Sequence, residues 1–188
     1  TTLAMKGGAY VYYFENYVSK NSLSDFISPI IDFLSSIGIN FFGSDPVSAG
    51  FGLFNAGGII FMIIGIGLSK MLADKYGKRN VFGVFLFIST LFILGSYVLS
   101  PDSINLIFGA QIFHGFFYGI TIPLLWAMIA DVADYSEWKN NRRATAIIFS
   151  AMMVGLKLGL SIGGALVASI LGSYGSVSYT HLTLPTNA

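Results

Sequence analysis

Three carboxylates recur at a spacing of three: Asp131, Asp134 and Glu137. Lys139, Arg142 and Arg143 follow at once. On a continuous helix that spacing lines the acids along one face. A carboxylate row beside a basic pair suits a gate that closes by ion pairing and opens when the pairs separate. A solvated helix end is the plainer reading of the same charges. A second gate-like cluster lies upstream in Leu72-Ala73-Asp74-Lys75-Tyr76-Gly77-Lys78-Arg79. There Gly77 suits a tight turn with positive φ, and Asp74 can cap a helix or pair with Lys75, Lys78 or Arg79.

Lys157 stands apart from both clusters, as the only Lys, Arg, Asp or Glu after Arg143. Fourteen residues past Arg143 in an apolar run, it falls near mid-bilayer. An ammonium there costs about 2.5–3.5 kcal/mol on insertion scales, so it should face a polar interior. Ser150 and Ser161 share its helical face. Gly155, Gly159 and Gly163 recur every four residues on roughly the opposite one, a pattern that allows close helix packing. Gln111, His114 and Tyr118 form another polar stripe at i, i+3 and i+7. It suits either a sugar-binding wall of amide and aromatic groups or hydrogen bonding between helices. Lys6, Tyr13 and Asn55 are further binding candidates. Trp126 and Trp138 read as interface anchors.

The elements that must carry these groups are set by composition. Of 188 residues, 54% are hydrophobic and 10% charged, with mean hydropathy +0.72. A soluble domain carries roughly 25% charged residues. The net charge of +1 gives no reason to expect nucleic acid as a partner. The lack of Cys removes disulfides, Cys-ligated zinc and thiol catalysis. No H-E-x-x-H, G-x-S-x-G or Walker loop occurs, so neither an enzyme, a metal site nor a bound cofactor is expected.

Charge-free intervals of 24, 22 and 28 residues separate Asp45, Lys70, Arg79, Asp102 and Asp131. A helix needs roughly 20 residues to cross the hydrocarbon. Spans are therefore expected near Val47–Ser69, Val81–Leu99, Ile104–Ala130 and Ala144–Gly172, with Thr1–Val18 as the end of another. The apolar runs lack the strict alternation of barrel strands, and the fold class is an all-α membrane protein. Seven of the ten basic residues fall in the two turns around Lys70–Arg79 and Lys139–Arg143. This places both turns in the cytoplasm. Phe26–Phe42 in the longest outer connection suits an interfacial helix. The start at Thr1 and the change of character in Ser176–Ala188 suggest a fragment with a disordered or non-native tail.

The stretch A-D-V-x-D-Y-x-E-W-K, then R-R-A, then V-x-L-K-L-G, resembles the glycoside–pentoside–hexuronide:cation symporters of the major facilitator superfamily. Asp131, Asp134, Glu137, Arg143 and Lys157 match that family's pattern in order, although Ser136 stands where Gly is frequent. Asp74 to Arg79 resembles the superfamily's loop motif, with Lys70 replacing the usual preceding Gly. Tyr10-Val11-Tyr12-Tyr13-Phe14 resembles the end of the family's seventh span. The resemblance implies spans seven to eleven of twelve, in a C-terminal bundle of major facilitator type. It implies a partner N-terminal six-helix bundle, alternating access in an inner, bacterial membrane, and sugar uptake driven by Na⁺, H⁺ or Li⁺. The coupling cation is then expected in the N-terminal half. A lipid or amphiphile carrier of the same fold, or a non-transporting scaffold, is the alternative.

Overall fold

The computed structural model describes residues 2–38, 45–96, 98–142 and 144–173. They form six helices: α1 (Thr2–Asn16), α2 (Lys20–Ser36), α3 (Pro46–Tyr76), α4 (Lys78–Ser96), α5 (Ile104–Asn140) and α6 (Thr145–Ser173). Of these, α3, α4, α5 and α6 are long and apolar enough to cross a membrane. The expected tail Ser176–Ala188 lies outside the described residues.

The helices outrun the lipid. At about 1.5 Å per residue, the 37 residues of α5 span about 55 Å, against about 30 Å of hydrocarbon. α5 ends ten residues beyond Ala130, and α3 ends seven beyond Ser69. Charged residues mark where lipid stops, not where a helix stops, because Leu, Ala, Lys and Glu sustain a helix in water. Asp131, Asp134 and Glu137 therefore do lie on a continuing helix. α3 starts with Asp45 as N-cap, its carboxylate accepting from Ser48 N at 2.9 Å, and Pro46 in the first turn. It stops at Gly77, whose φ of 82° excludes most side chains. α2 begins at Lys20, six residues before the sequence expectation. Leu23 and Ile27 are the residues it buries.

The chain divides into two compact units. One runs from Tyr13 to Phe149 and holds α2 to α5. Its centre is the crossing of α3 on α5, where glycines replace side chains. A Cβ on Gly65 would collide with the Phe116 carbonyl oxygen, one on Gly115 with that of Gly58, and one on Gly119 with that of Met62. Backbones that approach so closely gain dispersion contact in lipid, where no hydrophobic force drives helices together. At one end of this crossing, Phe14, Phe54, Phe108 and Phe26 pack in sequence, with centroids 4.9, 5.5 and 4.9 Å apart. Toward the other end lie Ala73, Val81, Ile120 and Leu124.

The second unit joins the first part of α1, to Tyr12, with α6 from Ser150. On α6, Gly163 is buried, while a Cβ on Gly155 would meet nothing within 4 Å. Among the glycines whose surroundings are described, those between α3 and α5 make the closest backbone approach.

Candidate functional site

The charged end of the larger unit is built by the α3–α4 turn and the extension of α5. Gly77 reverses the chain so sharply that Lys78 opens α4 immediately. Lys78 Nζ lies 2.7 Å from both carboxylate oxygens of Asp131. This joins one sequence-derived cluster to the other across 53 residues. Both side chains are about half exposed. Such a pair contributes roughly 0–1 kcal/mol to stability, and its solvent access leaves it free to open. Asp134 and Glu137 follow on the same helix, exposed, as are Asp74, Lys75, Arg79 and Arg142. Lys75 Nζ sits 5.2 Å from the Tyr76 ring centroid, and Lys139 Nζ 6.0 Å from that of Tyr135. Arg143 lies outside the described residues.

The polar stripe of α5 is divided between two neighbours. Gln111 is buried against α3, its amide nitrogen so close over Gly58 that a Cβ there would stand 2.7 Å away. His114 is buried toward α4. Its Nδ1 lies 2.8 Å from Ser89 Oγ and 3.0 Å from the Ser89 carbonyl oxygen. Tyr118 is half-buried and stacks on the His114 ring at 5.7 Å and 18°. Of the two uses open to this stripe, His114 is engaged in the one between helices. Ser89, 1% exposed, was not legible as its partner. The one available signal was a hydroxyl in the middle of a 22-residue uncharged run.

Of the other candidates in this unit, Asn55 donates through Nδ2 to the Phe51 carbonyl of its own helix at 3.0 Å. Tyr13 stacks on Tyr17 at 5.0 Å. Trp126 stacks on Phe149 at 6.3 Å, and Trp138 is exposed. In the second unit Lys6 is half-buried, with Nζ 5.1 Å from the Tyr10 ring centroid. Lys157 is exposed midway along α6, as are Ser150 and Ser161. The larger unit thus offers an exposed ion pair and buried hydrogen-bonding groups, and the second unit carries the Lys157 ammonium on an otherwise uncharged helix.

The chain matches the family described as MFS/sugar transport protein over residues 32–183. The isoprimeverose transporter of Lactiplantibacillus pentosus is 33% identical over 148 residues, 77% of this chain and 30% of that protein. The inner membrane symporter YicJ of Escherichia coli is 32% identical over 113 residues, 60% of this chain and 24% of that protein. The glucuronide carrier protein homolog of the same organism is 27% identical over 131 residues, 68% of this chain and 29% of that protein. The chain thus spans less than a third of the length of these relatives. No solved structure matches it.

Proposed function

The chain belongs to the MFS/sugar transport protein family, and we propose from that premise that it forms the C-terminal bundle of a sugar:cation symporter. Membership makes it a multi-pass membrane protein of a transporter family rather than an enzyme. The resemblance to the glycoside–pentoside–hexuronide:cation symporters agrees with relatives named as a symporter, an isoprimeverose transporter and a glucuronide carrier homolog.

Lys157 carries the functional reading. It interrupts a 29-residue helix that is otherwise uncharged. An ammonium left in lipid at that depth costs about 2.5–3.5 kcal/mol, a cost that a water-filled or substrate-filled cavity removes. In this reading Lys157 donates to sugar hydroxyls or to carboxylates of an N-terminal six-helix bundle. The bundle rocks against that partner about a site near the membrane midplane. The pair Lys78–Asp131, with Asp134, Glu137 and the basic pair Arg142–Arg143, works at the cytoplasmic end. It holds the α3–α4 turn to α5 in one state and releases it in the other. The coupling cation (Na⁺, H⁺ or Li⁺) binds in the N-terminal half, and the protein resides in a bacterial inner membrane.

The test is uptake of labelled glycosides, pentosides and uronides by cells making the full-length protein, beside its Lys157→Ala variant. We expect the parent to accumulate at least one of these. The variant should reach the membrane in equal amount with uptake at least tenfold lower. A variant that transports normally would remove Lys157 from the substrate path. A parent that moves none of these sugars would remove the sugar reading.

A further inference from the structure

Between α4 and α5, at the end near the Val98–Ser103 turn, lies an apolar groove of about 520 Å³. Residues with little or no side chain form its floor: Gly95 on α4, Gly109 and Ala110 on α5. A Cβ on Gly95 or on Gly109 would meet no atom within 4 Å, so both positions open onto free space. The stacked rings of Phe92 and Phe113, with centroids 5.5 Å apart at 16°, line it, and Ile88 lies one turn deeper. Leu99 and Leu106 flank the mouth, and the turn joining them carries Ser100, Asp102 and Ser103.

Its depth fits one leaflet. From Ile88 to Leu99 the longer wall rises eleven steps of about 1.5 Å, or about 16 Å, close to the ~15 Å that is half of the hydrocarbon core. With the basic turns in the cytoplasm, that leaflet is the outer one. Its volume over that depth gives a cross-section of about 30 Å², roughly a third of that of a helix 10–12 Å across. A flexible chain fits such a space, whereas a whole helix does not. Left empty, the lining would forfeit its dispersion contacts.

The mouth selects by charge. Lys20 stands beside the same turn, since Ser19 N–H donates to the Pro101 carbonyl oxygen at 3.4 Å, so the mouth carries both signs of a zwitterionic headgroup. Asp102 is exposed, and its Oδ1 accepts from the Ser22 hydroxyl at 3.3 Å. A carboxylate has about four acceptor positions, so Asp102 retains capacity for an ammonium. We propose that the groove is a lipid site. It takes one acyl chain of an outer-leaflet phosphatidylethanolamine, whose ammonium rests on Asp102.

The test is native mass spectrometry of the full-length protein released from bilayers of phosphatidylethanolamine and phosphatidylglycerol in equal parts. The parent should retain phosphatidylethanolamine in preference. Gly95→Leu and Gly109→Leu, which fill the groove, should each lower that retention at least tenfold. Asp102→Asn, a surface change that spares the fold, should keep a bound lipid and lose the headgroup preference. Leucine variants that retain phosphatidylethanolamine like the parent would overturn the proposal, as would an Asp102→Asn variant with unchanged preference. Photo-leucine placed at Leu99, which lines the groove, should crosslink to a lipid tail on illumination. Its crosslinking to another span or to a second copy instead would assign the groove to protein and overturn the lipid.

Discussion

Gly65 and Gly119 sit where α3 and α5 meet backbone to backbone, and each can be changed by a single methyl group. At Gly65 the new Cβ would collide with the Phe116 carbonyl oxygen and lie 3.2 Å from Ile120 N. At Gly119 it would collide with the Met62 carbonyl oxygen. Backbone atoms within a helix cannot rotate aside, so the two helices must separate. Overpacking of this kind costs about 1–3 kcal/mol, while Ala in place of Gly returns about 1 kcal/mol of helix propensity. Gly67 lies on the same helix, and a Cβ there meets nothing within 4 Å. Gly67→Ala therefore receives the propensity gain without the collision. The difference between Gly65→Ala and Gly67→Ala isolates the collision at about 1–3 kcal/mol. Thermal unfolding of the full-length protein in detergent, followed by the loss of the monodisperse peak in size-exclusion chromatography, measures it. At about 2–4 °C per kcal/mol, the two midpoints should differ by several degrees, with Gly67→Ala the higher. The double variant Gly65→Ala/Gly119→Ala need not be additive, because both sites load one seam. If the three single variants melted together, the backbone contact of α3 with α5 would be refuted.

Other outcomes follow from the polar contacts. Ser89→Ala removes the hydroxyl partner of His114 Nδ1 and should cost about 1–2 kcal/mol, read as a lowered unfolding midpoint. Ser89→Thr, which keeps the hydroxyl, should cost less. Lys78→Gln or Asp131→Asn should shift stability by no more than about 1 kcal/mol, because the pair is half exposed. In the gate reading the same changes lower the transport rate several-fold while leaving substrate affinity unchanged. The exchange Lys78→Asp/Asp131→Lys should restore part of the rate, and a transport rate indifferent to all three would leave the pair a solvated helix end.

The four long apolar helices were legible because charge is so sparse that it marks water. Asp45, Lys70, Arg79, Asp102 and Asp131 delimit runs that can only be satisfied as helices in lipid. Gly77 was legible as a turn because few residues tolerate its φ. The helix ends were less so, since α5 keeps its backbone bonds past Ala130 without lipid to require them. Residues 111, 114 and 118 were identified as a polar stripe, but neighbours, not spacing, decide what a stripe faces. Gln111 turns to Gly58 and His114 to Ser89, and no pattern within α5 records either partner. The α6 glycines showed the more regular repeat. The crossing of α3 on α5 uses Gly58, Gly65, Gly115 and Gly119, because small residues permit an approach and only the facing helix makes it. Lys157 required no geometry to be singled out, since a charge at that depth in an apolar run is itself the anomaly.

The most direct measurement of the central claim is solute flux in proteoliposomes containing the full-length protein, with a labelled glycoside or uronide outside. An inward gradient of Na⁺, H⁺ or Li⁺ should drive accumulation above equilibrium for at least one sugar. Collapse of that gradient should abolish accumulation while leaving sugar exchange intact. Accumulation indifferent to every cation gradient, or no movement of any sugar beside a control solute that crosses, would contradict a sugar:cation symporter.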